Sequence, residues 1–85
     1  MRVGSYVRWR RFDSEVLLLD LRAGQFVELN EVAARAFEGV ARGESVTEIV
    51  NDLVKKFEVD RAVLEDDVRK VLDDLVQRGL VEGPT

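Results

Sequence analysis

The chain has 85 residues and a net charge of -4, and this length allows one domain with a small hydrophobic core. It contains no cysteine and no histidine, which excludes disulfides, thiolate metal sites and imidazole acid–base chemistry. No Gly-rich phosphate loop or nucleophile-elbow pattern arranges the remaining carboxylates, hydroxyls and lysines into a site. We therefore expect a protein that is not an enzyme and that needs no cofactor and no metal.

Charge and apolar patterning also restrict the partners and the location. An acidic chain repels phosphates, so nucleic acid is not an expected partner. No apolar run approaches the roughly 20 residues of a membrane span, and the first residues lack the apolar segment of a secretory signal. We expect a cytoplasmic protein without a membrane partner, which binds something neutral or basic or binds through backbone groups.

The first part of the chain has the residue pattern of β-strands. Branched and aromatic residues predict a first strand over roughly Tyr6–Phe12, followed by a turn at Asp13 and Ser14. A second strand, Glu15–Leu21, is apolar on both faces and is therefore predicted to be central or covered. Its two faces carry Leu17, Leu19 and Leu21 on one side and Val16, Leu18 and Asp20 on the other.

A third strand, Gln25–Leu29, is predicted to return antiparallel after a turn at Gly24. Val27 and Leu29 share one of its faces, and Phe26 and Glu28 share the other. If the first face points toward the helices, Phe26 is exposed. It is then expected to form an apolar patch on the far side of the sheet with Val16, Leu18 and Trp9, which predicts contact with a second protein or a homodimer.

Three helices are predicted after the strands, each with its own start signal. The predicted N-caps are Asn30, Ser45 and Asp60. Ser45 and Glu48 have capping-box spacing, and glycines at positions 43 and 79 are expected to end the first and third helices. Leu80 and Val81 are expected to pack back on the core, whereas residues 82–85 are expected to fray.

This order of elements predicts one α+β domain over residues 1–85, ordered to about residue 82. A three-stranded antiparallel sheet is followed by three helices. Three strands are too few to close into a barrel, so both outer strands have unpaired amides and carbonyls unless another segment covers them.

Several segments, taken in order, resemble the PqqD-like family. They are Leu29-Asn30 after a hairpin, Ser45-Val46-Thr47-Glu48-Ile49 with Leu53 and Phe57 following, Leu64-Glu65-Asp66-Asp67-Val68, and the ending Leu75-Val76-Gln77-Arg78-Gly79-Leu80-Val81. The resemblance covers nearly the whole chain. It implies a winged helix-turn-helix-like fold and a stand-alone recognition element for ribosomally synthesised and post-translationally modified peptides (RiPPs).

The same resemblance implies a function. The leader region of a precursor peptide is expected to add as a strand to the third strand, in a cleft against the third helix, and to be presented to a maturation enzyme. A leader peptidase of a lasso-peptide pathway is favoured, and a PqqD-type peptide chaperone for a radical SAM enzyme is the alternative. Val71 stands where the family often has a large aromatic residue, so the cleft is expected to be more open.

The candidate peptide-binding residues come from this strand and one edge of this helix. They are Gln25, Phe26, Val27, Glu28, Leu29, Val63, Leu64, Asp67, Val71 and Asp74. At about 100 degrees per residue, Val63, Asp67, Val71 and Asp74 lie along an edge of the stripe centred on Leu64, Val68, Leu72 and Leu75. The alternative is that Leu64, Val68 and Val71 are simply core residues, which is favoured for Val68, and that Asp67 and Asp74 are solvated acids.

Two rival functions of other classes remain open. A winged helix can bind DNA, but the third helix carries the cations Arg61, Arg69, Lys70 and Arg78 against the acids Glu65, Asp66, Asp67, Asp73 and Asp74. This is the wrong balance for a DNA groove. The second rival is a structural subunit that holds a protease or a synthetase together.

Overall fold

The computed structural model describes residues 1–83. Two sheets and three helices make up one α+β unit. The elements are β1 (Arg2–Val3), β2 (Val7–Phe12), β3 (Glu15–Asp20), β4 (Gln25–Leu29), α1 (Glu31–Ala41), α2 (Val46–Lys56), α3 (Arg61–Gln77) and β5 (Val81–Glu82). No helix within this range is long and apolar enough to cross a membrane.

The main sheet has the order β2-β3-β4 and is antiparallel throughout, so the predicted central position of β3 is confirmed. The turn between β2 and β3 contains only Asp13 and Ser14, and Asp13 has a φ of 54°. A two-residue hairpin turn favours such a left-handed residue because its twist then matches that of the strands. The β3–β4 turn is longer and ends at Gly24.

The register decides which residues of the sheet face the helices. Leu18 is the direct partner of both Trp9 and Val27, so these three side chains share one face. Leu18 is fully buried, and the Trp9 ring meets the buried Phe37 ring edge-on with 5.3 Å between the centroids. The opposite face carries Leu19 and its partner Phe26.

The predicted composition of the far-side patch is therefore wrong, although Phe26 is exposed as expected. Val16, Leu18 and Trp9 lie on the helix side, because directly paired residues of neighbouring strands always share a face. The apolar residues beside Phe26 come instead from the odd-numbered positions of β3.

All three predicted helix starts are confirmed. The side chain of Asn30 accepts a hydrogen bond from the Ala33 amide at 3.0 Å, and Asp60 accepts one from the Ala62 amide at 2.9 Å. Ser45 and Glu48 form the complete capping box. These bonds satisfy amides that have no partner within a helix, which fixes where each helix begins.

Helix α1 is the centre of the core, since it contacts β1, β3 and β4 of the sheets as well as α2 and α3. Its Phe37 is fully buried. At the edge of the sheet, the Arg11 guanidinium donates to the Glu38 carboxylate, which joins β2 to α1. This hydrogen bond, more than opposing burial, holds the pKa of Glu38 below its ordinary value.

A second small sheet was not predicted. In it β1 pairs antiparallel with β5, so that Arg2 lies opposite Glu82 and Val3 opposite Val81. The Arg2 and Glu82 side chains are 2.5 Å apart, and the Gly4 amide donates to the Leu80 carbonyl. The expectation that Glu82 frays is therefore wrong, while Pro84 and Thr85, included in that expectation, lie outside the described residues. Two-residue strands are too short to show an alternating pattern, which is why the sequence did not indicate them.

Candidate functional site

The outer edge of β4 is the first component of the site. Strand β3 covers one side of β4, and within residues 1–83 no strand pairs with the other side. An uncovered edge leaves main-chain donors and acceptors available for another chain.

One hydrogen bond identifies which groups of β4 point outward. The Leu21 amide donates to the Tyr6 carbonyl at 3.0 Å, so odd-numbered residues of β3 bond to β2 and even-numbered residues bond to β4, as antiparallel pairing alternates. The register then directs the main-chain groups of Gln25, Val27 and Leu29 toward β3. Phe26 and Glu28 are left with their amides and carbonyls on the open edge, which gives two donors and two acceptors.

A groove begins at this edge and extends to the C-terminal end of α3, where it meets the C-cap residue Arg78. At the end of α3 the groove has a volume of about 440 Å³ and is lined by Asp20, Arg22, Ala23, Gln25, Val27, Arg78 and Leu80. At about 100 degrees per residue, Asp67, Val71 and Asp74 all lie within about 40 degrees of Arg78 on the helix surface. Asp67, Val71 and Asp74 therefore lie on the same side of α3 as Arg78, the residue at the end of this helix that lines the groove.

The predicted residues differ in accessibility. Val63 is 49% exposed, and Val71 and Val27 are half-buried. Leu64 and Leu29 are buried in the core at 2% and 7% exposure, so their side chains do not line an open surface. The core interpretation of Leu64 and Val68 is thus the one observed.

The two acids on this edge of α3 also differ. The Asp74 carboxylate lies 3.0 Å from the Arg78 guanidinium, one turn later on the same helix. Asp67 is exposed and, in the described part of the chain, forms no ion pair. Of these two acids, Asp67 is therefore the one whose charge is available to a ligand.

A cluster that sequence analysis missed lies between the β3–β4 hairpin and the end of α3. The Arg22 guanidinium stacks on the Tyr6 ring, 3.7 Å from its centroid, and lies 3.4 Å from the Asp20 carboxylate. It also lies 3.4 Å from the carbonyl oxygens of Arg78 and Gly79, and the Tyr6 hydroxyl donates to the Gly79 carbonyl. The sequence shows Arg22 only as a turn residue, because its partners near position 79 are distant along the chain.

Asp20 is the one buried charged residue among those described. Burial by itself raises the pKa of its carboxyl, but the hydrogen bonds from the Arg22 side chain and from the amides of Arg22 and Ala23 outweigh burial and lower that pKa. Asp20 is thus an anion near neutral pH and can hold the Arg22 guanidinium.

The second feature is the outer sheet face, which we define as the apolar side chains on the side of the main sheet that faces away from the helices, with the arginines beside them. Its members are Arg8, Arg10, Phe12, Leu17, Leu19 and Phe26. Phe12 is 50% exposed and Phe26 is 66% exposed. Neither Arg8 nor Arg10 forms an ion pair with any residue from 1 to 83. The face thus combines apolar area with available positive charge on an acidic protein.

The third helix offers little free positive charge to DNA. Arg69 pairs with Glu65 at 3.0 Å and Lys70 with Asp66 at 2.9 Å, each one turn away. Arg78 pairs with Asp74, and Arg61 donates to Asn51 of α2. Because most of its cations are matched by acids on its own surface, α3 lacks the basic stripe of a DNA-recognition helix.

Comparison with known proteins identifies the family. Residues 15–81 match the model of coenzyme PQQ synthesis protein D (PqqD). The chain belongs to the PqqD family. The resemblance inferred from the sequence is thus confirmed, and no curated protein gives a significant match.

Two solved structures are similar to this PqqD-like chain over nearly its full length. The first is TbiB1 in complex with the TbiA(beta) leader peptide, with 32% identity, a TM-score of 0.91, and coverage of 100% of this chain and 99% of the other. The second is a lasso peptide synthetase B1 complexed with the leader peptide, with 26% identity, a TM-score of 0.87 and 96% coverage of both chains. They confirm the predicted α+β fold class.

Proposed function

We propose that this PqqD-like chain binds the leader region of a RiPP precursor peptide by β-strand addition to β4, in the groove between β4 and α3. The observation that carries the proposal is the open edge of β4 beside this groove. Further support comes from the two similar proteins, both of which were solved with a leader peptide. The second of them, a lasso peptide synthetase B1, favours lasso-peptide biosynthesis as the pathway.

The geometry of β4 assigns roles to alternate residues of the peptide. Leader residues opposite Phe26 and Glu28 exchange main-chain hydrogen bonds with them, whereas the residue opposite Val27 directs its side chain into the groove. Four hydrogen bonds at about 0.5 to 1.5 kcal/mol each fall short of the roughly 8 kcal/mol of micromolar binding. Apolar leader side chains in the groove supply the difference.

The second step of the proposed function is presentation of the bound precursor to an enzyme. The leader-bound protein delivers the precursor to a maturation enzyme, with a lasso-pathway leader peptidase as the favoured enzyme and a radical SAM enzyme as the alternative. The outer sheet face lies opposite the helix side of the sheet, and its residues on β2 and β3 are remote from the open edge of β4. Its apolar residues and its two arginines suit an enzyme surface that is apolar with an acidic rim.

Calorimetric titration tests leader binding. The probes are two synthetic peptides, namely the leader of whichever RiPP precursor gene lies nearest to this chain's gene, called the neighbouring-gene leader, and the TbiA(beta) leader. We expect micromolar or tighter binding of the neighbouring leader that changes little with salt. Val63→Asp places a charge at an exposed α3 position that we propose contacts the leader, and it is expected to weaken binding about tenfold, because a buried valine contact contributes about 1.5 kcal/mol or more.

Val54→Asp is the matched control, since Val54 is also exposed but lies on α2. Binding of neither leader, or equal weakening by both substitutions, would contradict the groove as the binding site. Binding of duplex DNA that falls steeply with salt would favour the winged-helix alternative instead.

A further inference from the structure

The two walls of the groove are held together mainly through other elements. Strand β4 packs on β3 and α1, whereas α3 packs on α1, α2 and β5. The Arg22 cluster is a direct connection between the β3–β4 hairpin and the end of α3. It lies at the Gln25 end of the groove, where Arg22, Gln25 and Arg78 line the same cavity.

Arginine is chemically suited to this connection. Its planar guanidinium stacks on the Tyr6 ring while its edge reaches the Asp20 carboxylate and the Gly79 carbonyl. A lysine ammonium has neither the flat face for stacking nor the fork of donors for two acceptors. The partners themselves are fixed, because Asp20 is buried in the sheet and Tyr6 donates to Gly79 independently of Arg22.

We infer that Arg22 is a positioning residue that sets the width of the groove at its Gln25 end and thereby limits the size of the leader side chain accepted there. The inference rests on the proposed function, since it names a determinant of leader selectivity in the same groove. A leader residue opposite Gln25 directs its side chain toward the helix side, into the space that Arg22 borders.

The test compares side-chain size preference in the wild type and in Arg22 variants. The neighbouring-gene leader is synthesised with Ala, Leu or Trp at the residue opposite Gln25, a position identified by scanning proline through the leader. We expect the wild type to bind the Ala peptide about tenfold more tightly than the Trp peptide. Arg22→Ala is expected to weaken binding of the Ala peptide about fivefold and to remove the preference for Ala over Trp.

Arg8→Ala is the matched control, because it removes an arginine from the outer sheet face, away from α3. Arg22→Lys keeps the positive charge but cannot stack on Tyr6, so it should partly relax the preference for small side chains. This variant replaces Arg22→Ala in the test if Arg22→Ala does not fold. Loss of stability alone lowers the fraction of active protein for every peptide equally and leaves the preference unchanged. An unchanged preference in the folded Arg22 variants overturns the inference, whereas a wild type that binds no leader overturns the proposed function and the inference with it.

Discussion

At the scale of single residues, a few side chains join elements that the sequence does not show to be neighbours. Arg11 and Glu38 connect β2 to α1, and Arg22 connects the β3–β4 hairpin to the end of α3. Each of these contacts depends on the charge of a carboxylate whose pKa is lowered in the fold. Because of such contacts, the free energy of unfolding is expected to decrease as pH falls.

The Glu38 contact predicts a loss of stability in acid. Because folding lowers the pKa of Glu38, its contribution is complete above the ordinary glutamate pKa and is lost as pH falls through the lower folded value. Urea unfolding at pH 7, 4.5 and 3 should show that Glu38→Gln costs about 0.5 to 1 kcal/mol at pH 7 and less at pH 3. Glu58→Gln, at an exposed glutamate, is the control, and an equal cost of Glu38→Gln at both pH values would contradict the role of the ion pair.

The glycines that follow α1 and α3 are both expected to matter for stability, but only one of them is expected to affect the groove. Gly43 and Gly79 follow the ends of α1 and α3 with φ values of 79° and 75°, a conformation that costs an alanine about 1 kcal/mol. An added Cβ meets nothing at Gly43, but at Gly79 it lies 2.6 Å from the Arg22 guanidinium. Thermal unfolding should show that both alanine variants are destabilised.

Only Gly79→Ala should also weaken leader binding, because only that substitution displaces Arg22. Calorimetry with the neighbouring-gene leader measures this difference. Equal affinity of the two alanine variants would show that the Gly79 contact does not influence the groove.

At the scale of the elements, the β4 edge predicts a period of two in leader binding. Proline lacks the amide hydrogen and cannot donate to a strand. Proline at the leader residues opposite Phe26 and Glu28 should weaken binding by about tenfold, since each removes one donated hydrogen bond and adds strain. Proline at the residue between them should have a smaller effect. A proline scan measured by fluorescence anisotropy that shows no alternation would rule out strand addition in this register.

Local signals were sufficient to predict most elements, and long-range contacts account for what was missed. The N-caps Asn30, Ser45 and Asp60 are predictable because a cap is a contact within four residues. The faces of the main sheet required the pairing of Leu18 with both Trp9 and Val27, which no single strand reveals. The strand and the helix used by the proposed binding site were predictable as elements, but the Arg22 cluster was not.

At the scale of the whole molecule, the groove and the outer sheet face can be changed independently. The double variant Phe12→Ser, Arg10→Glu alters exposed residues of the outer sheet face and leaves β4 and α3 intact. It should bind the leader as the wild type does but, under the proposed presentation to an enzyme, lose at least about tenfold in affinity for a lasso-pathway leader peptidase, because exposed apolar contacts and charge pairs form such interfaces. Val54→Ser on α2 is the control.

Pull-down and calorimetry with that peptidase measure the effect. Unchanged affinity for the peptidase would exclude the outer sheet face as the docking surface. Loss of leader binding in the same double variant would show instead that the two surfaces are not separate.

The pairing of β1 with β5 brings the first and last strands of the chain side by side. Arg2 and Glu82 are direct partners, and the Cα atoms of such partners are only about 5 Å apart. A short Gly-Ser linker could therefore connect Glu82 to Arg2. The chain could then be reopened in the exposed turn between α1 and α2, because this turn contributes no residue to the groove or to the outer sheet face. The binding surface is thus a property of the packed elements and not of the point at which the polypeptide starts, which makes this fold suitable for insertion into a larger protein.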